Sequence, residues 1–522
     1  MIIKTSKSFN ESLYSLVGAI LCISVLIWLR FPATQNGGFH NEDAAGIVYS
    51  ARLLLAGGLP LVDTLELKAP GSFFLVAGVL KVFGDSLVSV QSFAVFWSGL
   101  AALGIFVGGR LMFGSSAGWV STLLYILLAP ITDSIDINYG AWMITPFIWA
   151  NVLCLKWMQN HRLRYLVWTG VLVTCTALLK RQGAVLVPFF TAILVLHNHH
   201  IEGDQRRLFL RHLTLFGSGI GLGFMPILSF YAVHGEGMTF IQEYFFSSGG
   251  WRYLDTLSWS EKISRLYDGC LGFWEYGALP TSLALGGILC AAVKRTSRLK
   301  FIWLLLGLFV VSCVGLTLGF RFFKGYYLQV LPALVWIAVA PWGLASLFAG
   351  RRKRVQVIIS VLCIGVFWSA GGHDLKGLRR IRDMRKSPRD LGAQRIAKLI
   401  QKESGVNDQI WVWGRAAWPV YIHAERFSAN RYFKTLAVFT TNLTNTWRRG
   451  TRPIEFEPKS RWKPLIEALE ENKPSFIVLA HNERYGKFKA LIGLLKRSYV
   501  PRKLTVRGFS LYARRTADGA AP

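Results

Sequence analysis

Charged and turn-forming residues stand together directly after the first apolar run of the chain. Between Asn41 and Gly84 the acidic pair Glu42-Asp43 opens an amphipathic run to Ala56, and the turn Gly57-Gly58-Leu59-Pro60 follows. Asp63, Glu66 and Lys68 then precede Pro70-Gly71 and a second apolar run. A carboxylate close to a hydroxyl can take its proton and turn a poor nucleophile into a competent one. Lysine and arginine beside it can hold an anion such as phosphate. Further basic residues stand at the ends of apolar runs: Lys180-Arg181, and Arg321 with Lys324 beside Tyr326. Each alone reads equally as a snorkelling anchor; together with Lys68 they suggest an anion site facing the acidic pair. Glu42 and Asp43 also suit the start of a helix at Ala44, where negative charge is favoured.

The elements that position these groups are membrane helices. The composition is 52% hydrophobic with 19 Trp, and a mean hydropathy of +0.37 excludes a soluble globule with a polar surface. Apolar stretches of spanning length, about 17 to 25 residues, recur up to Gly371. They fall at 13–31, 87–109, 116–132, 142–157, 164–179, 183–197, 212–233, 276–293, 301–320, 326–348 and 356–371, about eleven spans. The first follows Lys4 and Lys7 without a small-residue cleavage pattern, so it reads as a retained helix rather than a signal peptide. The run from Gly71 to Phe83 is short and holds Lys81, which suits a helix lying in the interface. All seven cysteines lie in or beside apolar segments without metal-like spacing, so they read as small buried hydrophobes.

Basic clusters at Arg110, Lys156 to Arg164, Arg206 to Arg211, Lys294 to Lys300 and Arg351 to Arg354 then fall on alternate loops. By the positive-inside rule the N-terminus is cytoplasmic and the C-terminal part extracytoplasmic. The expected organisation is a membrane body over 1–372, whose outer loop 32–86 carries two juxtamembrane helices, and a linker over 373–390. An extracytoplasmic α/β domain over 391–515 and a disordered tail over 516–522 complete it. Strands are expected at Gln409 to Trp413, Ser475 to Ala480 and Ser510 to Ala513, among helices near 391–403, 460–471 and 484–497. Residues 373–522 carry 31 Lys and Arg against 13 Asp and Glu, a surface suited to anionic lipid head groups or an acidic glycan. High charge can also mark nucleic-acid binding, but no recognised fold motif supports it.

The first loop, EDAAGIVYSARLLLAGGLPLVDTLELKAPG, resembles that of the membrane glycosyltransferases of the GT-C type that use polyprenyl-phosphate sugars. The group includes protein O-mannosyltransferases, aminoarabinose transferases of lipid A and lipopolysaccharide-core galacturonosyltransferases. Their acidic residue eight positions before an Ala-Arg pair matches Asp43 before Ala51-Arg52. Lys68-Ala69-Pro70-Gly71 is similar to a Lys-Pro-Pro element. Leu178 to Gly183 leading to Pro188, and Gly319 to Tyr327 leading to Pro332, match in order. Departures are Ala44 at the usual second acid, Gly325 at a frequent His, and Gly140 at an acid in the loop after the third span, for which Asp133 and Asp136 are substitutes.

The resemblance implies an inverting transfer of a sugar from a polyprenyl-phosphate donor to a hydroxyl of an extracytoplasmic lipid, glycan or protein. Asp43, with Glu42 beside it, would act as base. Arg321, Lys324, Lys180, Arg181 and Lys68 would hold the donor phosphate. Asp63, Glu66, Asp136 and Tyr326 would be auxiliary polar groups. The expected location is the inner membrane; no cofactor is assigned, and whether a divalent metal joins Asp43 is left open. The rival is a transporter or flippase without chemistry. It would call for polar mid-membrane helices and two related halves, whereas ionisable groups here collect at helix ends.

Overall fold

The computed structural model describes residues 2–35, 37–66, 68–132, 137–199, 205–246, 257–293, 299–340, 374–378, 388–434, 459–481, 485–504 and 506–515. The chain divides into two compact units, one of residues 1–35, 91–226 and 259–386, the other of residues 36–90, 227–258 and 387–522. The segment 36–90, which carries the acidic pair, thus belongs to the same unit as the C-terminal residues.

The first unit is helical. Helix α1 runs over Ile2–Gln35. Five apolar segments among the described residues are long enough to cross a membrane: Ser15–Pro32, Leu87–Phe113, Ser115–Thr132, Arg206–Val233 and Lys300–Thr317. The 22-residue helix Tyr139–Asn160 starts on Asn138, whose side chain accepts from the Ala141 N–H. It packs against Arg164–Leu179. Tryptophans stitch this unit together by donating to carbonyls of neighbouring helices, Trp97 to Trp142 and Trp336 to Ile105, both at 2.9 Å. Such an acceptor satisfies the indole N–H away from water. The expected span at 356–371 lies outside the described residues.

In the second unit, helix α2 covers Glu42–Leu55 and α3 covers Gly71–Phe83. Ala44 to Ala51 are all buried in α2, so its first turns are enclosed on every side, which the amphipathic reading did not anticipate. Helix α3 has 13 residues, short of a span. It buries Phe73, Val76, Ala77 and Leu80 at helical spacing and exposes Val82 and Phe83. A four-stranded sheet, β1 (Ile410–Trp413), β2 (Phe476–Ala480), β3 (Tyr499–Arg502) and β4 (Phe509–Arg514), has the order β1-β2-β4-β3. Strands β1 and β2 are parallel; the β2–β4 and β3–β4 pairs are antiparallel. All residues of β1 and β2 are buried, as expected of strands covered on both faces. Trp411 and Trp413 form one core with Leu465, Leu469, Leu491 and Leu495. Strand β3 was not foreseen; it carries Pro501 and sits at the sheet edge, where a missing N–H is tolerated.

Candidate active site

The acidic pair heads α2. The helix begins at Glu42, two residues before the expected start, and its cap is Asn41, whose side chain accepts from the Asp43 N–H at 2.9 Å. With the cap supplied by Asn41, the carboxylates of Glu42 and Asp43 face other partners. Lys68 Nζ lies 2.8 Å from Asp43 Oδ1. Arg415 Nη2 lies 3.7 Å from Glu42 Oε2 and 4.0 Å from the same Asp43 oxygen. Thus Glu42, Asp43 and Lys68, picked out from one loop, do come together, and they are joined by an arginine that sequence reading did not select.

Beneath them Glu66 and Lys434 form a buried ion pair, 3% and 5% exposed. The Lys434 ammonium lies 4.6 Å over the Trp418 ring. Gly46 leaves room for it, since a Cβ there would collide with the end of the lysine. The loop is tied to the same region by the Leu65 N–H donating to the Arg431 carbonyl at 2.9 Å. Along α2, Tyr49 accepts from the Ser428 N–H at 2.9 Å and stacks on Phe433, and Arg52 donates to the Ile422 carbonyl at 2.8 Å. Asp63 closes the turn by accepting from the Leu59 N–H at 2.6 Å, a role the turn residues Gly57 to Pro60 call for.

Charge follows this geometry. Burial pushes the Asp43 carboxyl up, but Lys68, Arg415 and Lys434 outweigh it and hold it well below the usual carboxylate range. Burial pulls the Lys434 ammonium down against the opposing pull of Glu66. Asp43 is therefore an anion at any physiological pH, flanked by two half-exposed cations, Lys68 and Arg415.

The remaining expected residues lie in the first unit. Lys180 ends the helix Arg164–Leu179, and its ammonium stands 4.3 Å over the Tyr326 ring. A Cβ at Gly140 would lie 3.2 Å from the Gly325 carbonyl and 3.7 Å from Lys180 Nζ, so the position where the resemblance expects an acid adjoins this lysine. Arg181 opens the 3₁₀ turn Arg181–Val185. Arg321 stands between Phe320 and Phe322, both left-handed at φ 47° and 49°. Two non-glycine residues in that region are costly unless their surroundings fix them; Phe322 is buried, and Tyr327 donates to the Gly269 carbonyl at 2.6 Å. The 3₁₀ turn Lys324–Gln329 carries Lys324 and Tyr326. Asp133 and Asp136 lie outside the described residues. Among the described residues no group of three or more His, Cys, Asp or Glu comes together in a way that could hold a metal ion.

Arg415 and Lys434 went unselected because their contacts span more than 350 positions of sequence. One signal for Arg415 was available: it follows Gly414 directly after an expected strand, and the carboxyl ends of strands in α/β sheets are where ligands bind. Nothing local marks Lys434.

The comparisons with known proteins bear on the family and the fold. Residues 67–229 match the dolichyl-phosphate-mannose-protein mannosyltransferase family. No curated protein matches the chain in sequence. Among solved structures, ArnT from Cupriavidus metallidurans in the apo state superposes with a TM-score of 0.58 at 14% identity, covering 98% of this chain and 100% of that one. The same protein bound to undecaprenyl phosphate gives 0.56 at 12% identity, with 98% and 99% covered. The Archaeoglobus fulgidus oligosaccharyltransferase tethered to an acceptor peptide gives 0.57 at 12% identity, with 98% and 75% covered. The resemblance to the GT-C type of membrane glycosyltransferase therefore holds, and at these identities the structural likeness speaks for the fold.

Proposed function

We propose that this protein is an inverting glycosyltransferase of the inner membrane, with its N-terminus cytoplasmic, about eleven spans and an outward-facing reaction centre. It moves a sugar from a polyprenyl-phosphate donor to a hydroxyl of an extracytoplasmic lipid, glycan or protein. The observation that carries this is the Asp43 carboxylate at the head of α2, held ionised between Lys68 and Arg415, in a chain with the fold of GT-C enzymes. The neighbours' bound lipid phosphates, undecaprenyl phosphate on ArnT and dolichol phosphate on the archaeal enzyme, favour a lipid-phosphate donor here.

In this reading the acceptor hydroxyl attacks the anomeric carbon while its proton passes to Asp43. The sugar–phosphate bond breaks in the same displacement, and its electron pair leaves on the phosphate. A phosphate departs already charged, so it needs cations rather than an acid, the role assigned to Lys68, Arg321, Lys324, Lys180 and Arg181. No protein nucleophile takes part, and one displacement inverts the anomeric centre. Glu66 keeps the loop in place through Lys434 rather than touching substrate. The test is the envelope glycan of a strain lacking the gene. It should lack one sugar and accumulate the acceptor without it; an unchanged set of glycans and lipid-linked sugars would contradict the reading.

A further inference from the structure

The second unit puts two cations on one carboxylate oxygen, one from the first outer loop and one from the C-terminal α/β part. Lys68 Nζ and Arg415 Nη2 both lie within 4.0 Å of Asp43 Oδ1. Arg415 is 36% exposed and Lys68 38%, whereas Lys434 is buried against Glu66. The two outer cations thus remain partly open to solvent, whereas the inner one is enclosed. At 3.7 and 4.0 Å from Glu42 and Asp43, Arg415 makes ion pairs too long for hydrogen bonds to those carboxylates.

Its position is nevertheless fixed. Gly414 adopts φ 91° at the carboxyl end of β1 and turns the chain into the 3₁₀ turn Arg415–Ala417. The guanidinium lies 5.8 Å over the Trp418 ring, which is 5% exposed, and Lys434 approaches the same ring. A planar guanidinium placed by an aromatic ring, next to a lysine, has the geometry for a phosphoryl group, which Arg can hold by two parallel hydrogen bonds.

We infer that Arg415 is the second cation of a phosphate-binding site whose first is Lys68, so that the C-terminal α/β part supplies a substrate-binding residue beside Asp43. The inference rests on the reading of Asp43 as the reacting centre. An arriving phosphate would take hydrogen bonds from Lys68 and Arg415 and loosen their hold on Asp43, so that substrate binding and readiness of the base would be linked. The phosphate could belong to a polyprenyl-phosphate donor or to a phosphorylated acceptor.

The full-length protein in lipid nanodiscs is titrated with undecaprenyl phosphate, with undecaprenol and with a glycolipid bearing a sugar phosphate monoester, following intrinsic tryptophan fluorescence. The expected result is that Arg415→Gln weakens undecaprenyl phosphate binding about tenfold or more, that Arg415→Lys falls between it and wild type, and that undecaprenol binding is unchanged. Loss confined to the phosphorylated glycolipid assigns the same site to the acceptor. If Lys68→Met weakens either phosphate ligand while Arg415→Gln weakens neither, the role of Arg415 is overturned and the enzyme reading stands. If wild type prefers neither phosphate ligand over undecaprenol, both fall.

Discussion

Replacing Lys434 by Met should be among the most damaging single changes in the second unit. The substitution keeps length and apolar volume but removes the partner of Glu66, which is 3% exposed. Removing one member of a buried ion pair typically costs about 3–5 kcal/mol, because the remaining charge stays out of water uncompensated. In a unit of this size 1 kcal/mol shifts the melting temperature by roughly 2–4 °C, so a drop of about 10 °C is expected. The double variant Glu66→Leu/Lys434→Met removes both charges and should recover most of that loss, since well-packed apolar replacements of such pairs are often neutral. Gly46→Ala should also destabilise, despite a helix-propensity gain of about 1 kcal/mol, because its methyl takes the space of the Lys434 ammonium. The assay is thermal unfolding of purified protein in detergent, with hydrogen exchange at residues 42–66 to localise the effect. A melting point for Lys434→Met within 1–2 °C of wild type, or strictly additive effects in the cycle, would refute the claim that this pair fastens the acidic loop.

Three further expectations concern pH, orientation and the first unit. Because the Asp43 carboxyl is held well below its ordinary value, its contribution to stability is fully present above the unfolded value near ~3.9 and is lost only as pH falls through the lower folded value. For the same reason kcat/KM should not fall on account of Asp43 between roughly pH 7 and 5, and Lys68→Met should move the acid limb upward; a profile that the variant leaves in place would contradict the pairing. A reporter active only outside the cytoplasm should work when fused after Gly372 and fail when fused after Arg298, and reversed activities would overturn the outward site. Arg321→Ala and Lys324→Ala should each raise the KM for the lipid donor about tenfold or more, and a double variant with unchanged donor saturation would make them membrane anchors only.

What the sequence revealed and what it concealed follow from the range of the interactions. The acidic loop was readable because Glu42-Asp43 and then Asp63, Glu66 and Lys68 lie between two apolar runs, and charge there demands partners. Strands β1, β2 and β4 were readable as short apolar runs; β3 was not, because its four residues include Pro501 and directly follow a helix. The motif order made the GT-C fold readable, whereas hydropathy alone leaves only five described segments of spanning length and apolarity. The docking of α2 was hidden, since Tyr49 to Ser428 and Arg52 to Ile422 join positions some 370 residues apart. So was the origin of the second cation: the basic C-terminal part looked like a diffuse surface for anionic head groups, and only the fold places Arg415 against Asp43.

The central claim is that the Asp43 carboxylate accepts the proton of the acceptor. Asp43→Asn keeps the size of the side chain and leaves the Asn41 cap intact, yet it can no longer take that proton. Purified wild type, Asp43→Asn and Glu42→Gln should be compared for transfer of a sugar from its polyprenyl-phosphate donor, with binding of undecaprenyl phosphate measured alongside. The expected outcome for Asp43→Asn is lipid-phosphate binding at least as tight as in wild type, because Lys68 and Arg415 are released from the carboxylate, with transfer reduced by a factor of about 100 or more, the scale of a positioned general base; Glu42→Gln should lose less. Near-wild-type turnover by Asp43→Asn would remove Asp43 from the chemistry.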